Sequence, residues 1–247
     1  MLKTLETIGQ YSLMLKNLVS KPLNLSFFWK QVFTEIESLG MRSIWLVIMI
    51  SSFSGGILTM QMSYNLDNGL LPRTLIGLAT RDSILLEFSS TILGLLLAGK
   101  IGSYITSQIG TMRVTEQIDA LEVMGVNSIS HLILPKVVAV VFMFPLFNAL
   151  SIIMGLLGGL LIGPLTGAIA IADYLEGIRY LFDPYYVTFS FIKTVFYSLI
   201  IVTVSAYFGY YVKGGSVEVG NASTKAVVNS MMLIIVADLI LTLLLMT

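Results

Sequence analysis

The sequence predicts an all-α, polytopic membrane protein. Of its 247 residues, 56% are hydrophobic and only 11% are charged, with 14 basic and 14 acidic side chains, and the mean hydropathy is +0.89. An ordinary soluble domain carries about 25% charged residues, so this chain cannot cover a water-facing globule with polar groups. The net charge of zero also argues against nucleic-acid binding, which requires a basic excess.

Five apolar stretches are long enough to cross the roughly 30 Å of hydrocarbon in a bilayer. They cover residues 41–63, 83–105, 132–172, 185–212 and 226–246. The third stretch is too long for one straight span, and Pro145 and Pro164 interrupt it. It therefore forms either one long kinked helix with an irregular end or two short spans. This pattern divides the chain into an N-terminal segment, 1–40, and a transmembrane domain, 41–247.

The distribution of basic residues predicts the orientation of the spans. With five spans and the N-terminus inside, ten basic residues lie on the inner side and three, Arg73, Arg81 and Arg179, lie outside. Because Lys and Arg accumulate on the cytoplasmic side of membrane proteins, we expect the N-terminus inside and the C-terminus outside. A six-span arrangement would move Lys213 and Lys225 outside, which weakens the bias without excluding that arrangement.

The first 40 residues predict two amphipathic helices rather than a signal peptide. Polar residues recur on one helical face from Lys3 to Asn17 at spacings of 3, 4 and 7, and the mixed charges leave no clean apolar core of a signal peptide. A second stretch, rich in aromatic residues, follows Pro22. We expect both helices to lie on the inner leaflet before the chain turns into the membrane at Gly40. The alternative is a small cytosolic helical hairpin.

Three ionisable residues, Glu87, Lys193 and Asp238, fall within predicted spans. An unpaired charge at mid-bilayer costs roughly 2.5–3.5 kcal/mol or more, so each should face protein or water. All three lie in the outer half of the predicted spans, and Lys193 with Asp238 forms a predicted pair. Two interpretations remain open: an ion pair that fixes helix register, or a polar patch in a cavity that opens outward.

Glycines recur every four residues in the third apolar stretch, at Gly155, Gly159, Gly163 and Gly167. Small residues at this spacing let two helix backbones approach closely in lipid. The ladder predicts either packing inside the chain or a contact between subunits.

The chain offers little for catalysis or nucleotide binding. It has no cysteine and one histidine, His131, which excludes disulfides, thiol nucleophiles and histidine metal clusters. The run from Gly94 to Lys100 imitates a phosphate-binding loop, but Ile101 stands where a hydroxyl should coordinate magnesium. Because the intervening residues are mostly leucines inside a span, we predict no catalytic residue, no metal site and no nucleotide site in this chain.

The predicted inner loop, residues 108–125, carries a short amphipathic pattern. Its acidic residues share one helical face and its apolar residues another: Glu116, Asp119 and Glu122 against Ile118, Leu121 and Met124. The pattern is typical of a solvated interfacial helix, or of a short helix offered to a cytosolic partner.

This region also carries a family resemblance. The stretches Ala98–Ser103, Ile109–Ile118 and Leu121–Met124 closely resemble the MlaE permease family, the membrane subunits of ABC systems that move lipids between the membranes of diderm bacteria and, in relatives, chloroplasts. Further matches are Ser12–Leu15, Ser54–Gly55, Phe191–Thr194 and residues 224–243, so the resemblance covers nearly the whole chain.

The resemblance implies an architecture and a set of partners. It implies an N-terminal interfacial elbow helix, five spans, a location in the bacterial inner membrane and a homodimer with an outward-opening lipid cavity. It also implies a cytosolic ABC ATPase dimer that binds ATP and magnesium, a periplasmic MCE-domain lipid-binding protein, and a small STAS-type accessory subunit in some assemblies. No cofactor is expected in this chain.

The resemblance also assigns residues to two candidate sites. The expected ATPase-coupling residues lie in the inner loop: Gly110, Arg113, Glu116, Gln117, Asp119, Glu122 and Met124. For the lipid cavity we expect apolar residues that suit varied acyl chains, with charged residues near the headgroup: Ile57, Leu58, Met62, Leu66, Leu70 and Leu71, with Glu87, Lys193 and Asp238.

The expected function is therefore a permease subunit that moves phospholipid between inner and outer membranes and supports outer-membrane lipid asymmetry, without covalent chemistry. A membrane-embedded lipid-modifying enzyme is one alternative, but the acidic cluster in the inner loop has no His or Cys companion. An ion-coupled secondary transporter is another, but its usual internal repeat is not found in the sequence.

Overall fold

A computed structural model describes residues 2–18, 25–66 and 72–246, and all regular elements in these residues are helical. The α-helices are α1 (Leu2–Leu18), α2 (Leu25–Glu35), α3 (Arg42–Leu66), α4 (Thr74–Ser83), α5 (Leu93–Leu97), α6 (Ser103–Val114), α7 (Gln117–Val123), α8 (Ser128–Leu165), α9 (Ile171–Arg179), α10 (Tyr185–Tyr210) and α11 (Ser216–Met246). Three π-helical segments, Ile36–Met41, Ile84–Ile92 and Ala98–Gly102, join consecutive α-helices.

Among the described residues, five helical stretches are long and apolar enough to cross a membrane. They are Leu25–Leu66, Thr74–Val114, Ser128–Leu165, Tyr185–Tyr210 and Ser216–Met246. Their number and order confirm the predicted five-span, all-α membrane fold. Each predicted span overlaps one of these helices, because about 20 apolar residues are needed wherever a helix meets hydrocarbon.

The third span is one continuous helix. α8 runs without a break through Pro135 and Pro145 and ends one residue after Pro164. Its 38 residues correspond to roughly 57 Å at 1.5 Å per residue, so the helix is longer than the hydrocarbon is thick. The structure therefore selects the single long helix over two short spans.

The chain divides into two compact units. The first comprises the described residues of Met1–Gly40, Leu95–Met143 and Phe196–Leu239, and the second those of Met41–Gly94, Phe144–Val195 and Ile240–Thr247.

In the first unit, α1 packs against α10. The Tyr11 hydroxyl donates to Thr203 Oγ1 at 2.7 Å, and the Tyr207 hydroxyl donates to Gln10 Oε1 at 3.2 Å. Met14 is fully buried on the same helix. Since α10 is a membrane-spanning candidate, these contacts join α1 to the transmembrane helices rather than leaving it in a separate hairpin.

The structure corrects the predicted turn at Gly40. α2, the first π-helical segment and α3 form one helical stretch, so the chain stays helical through this residue. Gly40 is buried, and a Cβ here would lie 2.8 Å from the Met143 methyl group. The glycine therefore makes room for a neighbouring side chain.

In the second unit, the glycine ladder lets α3 and α8 approach at backbone distance. A Cβ on Gly55 would lie 1.8 Å from the Gly155 carbonyl oxygen, and one on Gly158 would lie 1.9 Å from the Ser52 carbonyl oxygen. A Cβ on Gly159 would meet the Tyr174 hydroxyl at 2.2 Å. These positions are filled from within the chain, which supports the internal-packing interpretation. Gly158, outside the four-residue spacing, belongs to the same contact.

The last glycine of the ladder has a different role. Gly167 lies beyond α8 with a φ of +72°, the left-handed conformation that commonly ends a helix. The Ala168 N–H donates to the Gly163 carbonyl at 2.9 Å and the Gly167 N–H to the Pro164 carbonyl at 3.1 Å. These two bonds satisfy carbonyls at the end of α8.

Candidate functional site

The inner loop contains a shorter helix than its sequence pattern predicts. α6 ends at Val114, and α7 spans only Gln117–Val123. Glu116 lies between them in the left-handed region, with a φ of 60°. It therefore precedes α7, and the predicted helical face shared by Glu116, Asp119 and Glu122 is corrected to the last two residues.

Two polar contacts hold α7 in place. Glu122 Oε1 accepts hydrogen bonds from the Tyr210 hydroxyl at 2.7 Å and from Ser128 Oγ at 2.9 Å. The Tyr210 bond, followed by the Ser128 bond, lowers the pKa of the Glu122 carboxyl. On the other flank, Arg113 Nη1 donates to Asp119 Oδ1 at 2.6 Å. Two of the predicted coupling acids therefore bind within the chain and position the loop.

The apolar side of the loop is split between the interior and the surface. Ile118 is fully buried and Leu121 is half-buried, whereas Val123 is 89% exposed and Met124 is 68% exposed. Val123 and Met124 form what we name the coupling tip, which the turn at Gly125 (φ +75°) follows. Hence the predicted common apolar face of Ile118, Leu121 and Met124 is corrected: Ile118 anchors α7 and Met124 is presented outward.

We expect Glu122→Gln to loosen the coupling tip without unfolding the protein. Hydrogen bonds to a charged group contribute about 1.5–3 kcal/mol each, and the neutral amide makes weaker ones. Amide hydrogen exchange over residues 117–126 should accelerate in this variant. Because the bonds lower the pKa of Glu122, their contribution is present above the carboxyl's unfolded pKa and is lost as pH falls through the lowered value. After correction for the intrinsic pH dependence of amide exchange, acidified wild-type protein should therefore show the protection factors of the variant.

Glu116→Gln provides the control for this experiment. Glu116 is an exposed acid in the same loop, but it precedes α7. Its neutralisation should leave the exchange rate near that of the wild type. Equal exchange in both variants would show that Glu122 does not anchor the loop.

In the second unit, Lys193 and Glu87 form an ion pair inside the membrane-spanning helices. The Lys193 side chain is fully buried, and its Nζ lies 3.1 Å from Glu87 Oε1, whose side chain is 46% exposed. Lys193 Nζ also donates to the Leu86 carbonyl at 3.1 Å and lies 4.8 Å from the centre of the Phe189 ring. Thr91 Oγ1 donates to Glu87 Oε2 at 3.0 Å. The Lys193 ammonium is thus enclosed by protein, whereas the Glu87 carboxylate reaches the surface.

The pair uses the second π-helical segment, Ile84–Ile92, which supplies both Glu87 and the Leu86 carbonyl. Interruptions of this kind occur frequently at functional sites. In the first unit, the third predicted charge, Asp238, accepts a hydrogen bond from the Tyr197 hydroxyl at 2.7 Å. The pairing of Lys193 with Asp238 stays a prediction, whereas the Glu87 contact was not foreseen.

The apolar residues predicted to contact lipid have different environments. Leu70 and Leu71 lie outside the described residues. Ile57 is 62% exposed and Leu58 is buried. Met62 and Leu66 pack against a core cluster of Ile76, Ile169 and Tyr174. Ile57 is therefore the described apolar candidate most open to a lipid, and contact of these residues with lipid stays a prediction.

Two buried basic residues were interpreted from sequence only as markers of orientation. Arg81 is 1% exposed and Lys136 is 3% exposed. Lys136 Nζ forms an ion pair with the Glu35 carboxylate and donates to Gln108 Oε1 at 2.6 Å, so it joins three helices of the first unit. No periodicity distinguishes these two residues from surface lysines and arginines beside a span.

Within the described residues, no group of three or more His, Cys, Asp or Glu side chains comes together as a metal site.

Comparison with known proteins identifies the family. The family model described as Permease MlaE matches residues 32–244. The chain belongs to the MlaE permease family. The matched region includes the inner loop, residues 108–125, together with Glu87, Lys193 and Asp238.

Full-length relatives place this MlaE permease among ABC transporter components. It is 31% identical to a probable ABC transporter permease protein of Rickettsia bellii, over 96% of this chain and 91% of the relative. A protein of the same description from Rickettsia felis is 32% identical over 98% of this chain and 93% of the relative. The intermembrane phospholipid transport system permease protein MlaE of Haemophilus influenzae is 28% identical over 84% of this chain and 80% of the relative. This chain is thus a multi-pass ABC transporter permease.

Proposed function

We propose that this permease moves phospholipids between the inner and outer membranes of a diderm bacterium, as the membrane subunit of an ATP-driven complex. The observation that carries the proposal is the Lys193–Glu87 pair, in which a charged group reaches the surface of a membrane span. Ionisable residues at this depth mark substrate pathways. A phospholipid supplies both a polar headgroup for such a pair and acyl chains for the apolar surface around it. The likeness to the Haemophilus phospholipid permease supports the same substrate class.

A cytosolic ABC ATPase dimer is the proposed source of energy. The coupling tip exposes two large apolar side chains on a loop that Glu122, Arg113 and Asp119 hold in position. Such a tip suits insertion into a groove of the ATPase, which would bind ATP and magnesium. Nucleotide-driven movement of that groove would shift α7 as a rigid body and change the shape of the lipid site. In this chain, Gly94–Lys100 is helical, and no strand–loop–helix unit cradles a phosphate there.

A second copy of the chain is the proposed neighbour of α11. Only 11% of the most apolar stretch of α11 is buried, against 56% for α10. A homodimer covering this helix would enclose the outward-opening lipid cavity between two permeases. We place the complex in the inner membrane, with its N-terminus in the cytoplasm and its C-terminus in the periplasm. A periplasmic MCE-domain protein and a STAS-type accessory subunit would complete the assembly.

Val123→Glu in the coupling tip tests the ATPase contact. A charge on this exposed side chain should not unfold the permease, but it should disrupt an apolar contact with a partner. A hot-spot residue at the centre of an interface contributes about 2 kcal/mol or more, and about 1.4 kcal/mol already corresponds to tenfold in binding. We therefore expect permease-stimulated ATP hydrolysis and transfer of a fluorescent phosphatidylethanolamine between vesicles to fall by about that factor. Both are measured with the purified complex in proteoliposomes.

Lys213→Glu is the matched control, since Lys213 is an exposed residue on the proposed cytoplasmic side. It should leave both activities within about twofold of the wild type, the size of a typical surface substitution. Unchanged phospholipid transfer by the Val123→Glu variant would show that the coupling tip does not contact the ATPase. A wild-type complex that hydrolyses ATP without moving phospholipid would instead contradict the proposed substrate.

A further inference from the structure

A group of exposed apolar side chains lies within residues 171–185 of the second unit. We name it the apolar ridge; its members lie on α9, in the loop that follows and at the start of α10: Ile171, Leu175, Tyr180, Leu181, Phe182 and Tyr185. Leu181 is the most exposed of them, at 73%. Single exposed apolar residues are ordinary, but a contiguous patch marks a contact surface.

A buried arginine holds the loop part of this ridge in one conformation. Arg81 Nη1 donates to the carbonyls of Ile178 and Tyr180 at 2.8 and 2.7 Å, and Nη2 donates to the Leu181 carbonyl at 3.4 Å. Its charge is balanced by Asp82, which accepts from Nε at 2.8 Å and lies 2.7 Å from Nη2. The planar guanidinium thus satisfies one carbonyl at the end of α9 and two in the loop that follows, which a lysine cannot do with the same geometry.

The held conformation turns Leu181 outward at a conformational cost. Leu181 has a φ of 46°, in the left-handed region that large side chains rarely adopt. A loop that only joined α9 to α10 would favour glycine at this position. Instead, a leucine adopts the unfavourable backbone and directs its side chain away from the protein. Backbone strain of this kind is found where the surrounding structure enforces a functional geometry.

The pattern of α9 indicates what contacts the ridge. Tyr174 and Gly177 are buried against α4, while Ile171 and Leu175 lie on one exposed flank and Glu176 is exposed on the other. This separation of an apolar from an acidic flank fits a helix lying along a membrane surface, because one flank meets acyl chains and the other meets water.

The depth of the ridge agrees with a membrane surface. The Tyr185 hydroxyl donates to the Leu245 carbonyl at 2.6 Å, so the start of α10 and the end of α11 are level. Both helices are membrane-spanning candidates, and their ends mark one face of the transmembrane region. Leu181 and Phe182 precede Tyr185 by three or four residues, at the level where aromatic side chains favour the headgroup layer.

We propose that the apolar ridge is a lipid-contacting wedge, held by Arg81 within the headgroup layer of the adjacent leaflet. Its partner is the phospholipid surface itself. Inserted side chains would loosen lipid packing beside the protein. This inference does not depend on which molecule the permease transports, and it requires only that the five spans cross a bilayer.

The absence of cysteine from the sequence permits a direct test of depth. Nitroxide labels are attached at Leu181→Cys and Phe182→Cys, with Glu176→Cys as the control on the acidic flank. The full chain is placed in nanodiscs of phosphatidylethanolamine and phosphatidylglycerol, and label relaxation by oxygen and by a water-soluble nickel chelate is compared. We expect a several-fold higher oxygen-to-nickel ratio at Leu181 and Phe182 than at Glu176.

The possible outcomes separate lipid from protein partners. Equal, water-like ratios at all three positions would overturn the proposal. A water-like ratio in the isolated permease that becomes shielded only in the complete transport complex would also overturn it and would identify a protein-docking surface. These label positions leave Arg81 intact, so the depth test does not depend on any Arg81 variant.

The role of Arg81 has its own readout. In Arg81→Lys carrying the Phe182→Cys label, the loop loses its bonds to the Tyr180 and Leu181 carbonyls. We expect a more mobile label and a lower oxygen-to-nickel ratio than in the Arg81 protein. If the variant does not fold, Asp82→Asn tests the same anchor by removing only the counter-charge, with the same expected direction. Unchanged mobility and depth would show that Arg81 does not hold the wedge.

Discussion

Gly55→Ala is expected to destabilise the permease by about 3 kcal/mol or more, toward the upper range for overpacked interiors. The added methyl would lie 1.8 Å from the Gly155 carbonyl oxygen. That atom belongs to the backbone of α8, so no side-chain rotation relieves the clash, and α3 and α8 must separate. The measurement is the thermal midpoint in detergent, together with the yield of monodisperse protein.

Gly9→Ala is the control for this prediction. Gly9 lies in α1, where a Cβ would meet nothing within 4 Å. Alanine is the better helix former by about 1 kcal/mol, so this variant should be as stable as the wild type or slightly more stable. If Gly55→Ala and Gly9→Ala have the same thermal midpoint, then α3 and α8 do not pack through their backbones.

Unequal losses of stability are expected when the Lys193–Glu87 pair is broken from either side. Glu87→Leu leaves a fully buried ammonium without its carboxylate, whereas Lys193→Met leaves a carboxylate that is 46% exposed. Removing one partner of a buried pair costs about 3–5 kcal/mol, because the other charge stays buried. We expect about 3 kcal/mol for Glu87→Leu and about 1–2 kcal/mol for Lys193→Met, whose remaining charge water can reach. Thermal unfolding in detergent measures both.

The double variant distinguishes a structural pair from a functional one. Glu87→Leu with Lys193→Met removes both charges and should recover most of the stability, as contacting residues deviate from additivity by about 0.5–3 kcal/mol. Phospholipid transfer should nevertheless remain low, because the proposed headgroup site would have lost its polarity. Full transfer by a stable double variant would show that the pair only fixes helix register. Additive losses would show that the two side chains do not interact.

The number of spans was predictable because it depends on length and composition alone. Each predicted stretch overlaps one long apolar helix. The continuity of α8 was not predictable, because Pro135 and Pro145 break helices in water but are tolerated when neighbouring helices and side chains satisfy the freed backbone groups. Gly40 was misinterpreted for a related reason. A glycine that suggests a turn in sequence instead gives room to Met143 in the structure.

The charged residues of the candidate site were predictable as a set but not as contacts. Glu87, Lys193 and Asp238 were identifiable because an ionisable residue within an apolar span is costly. Their partners depend on how each helix is rotated about its axis, because neighbouring residues on a helix point roughly 100° apart. The same applies to the inner loop, where Glu122 accepts hydrogen bonds from Ser128 and from Tyr210. Tyr210 belongs to the fourth predicted span, and no sequence pattern connects it with the loop.

The sequence by itself determined that this protein is a membrane protein with five spans and that it belongs to the MlaE permease family. Hydrocarbon imposes a minimum helix length and excludes most charges, and both constraints can be read along one chain. Only the tertiary structure decided that Lys193 meets Glu87, that the coupling tip is exposed and that Arg81 holds the apolar ridge. The Lys193–Glu87 and Arg81–Tyr180 contacts each join residues about 100 positions apart in the chain. Such contacts depend on the rotation and register of packed helices, which no sequence period records.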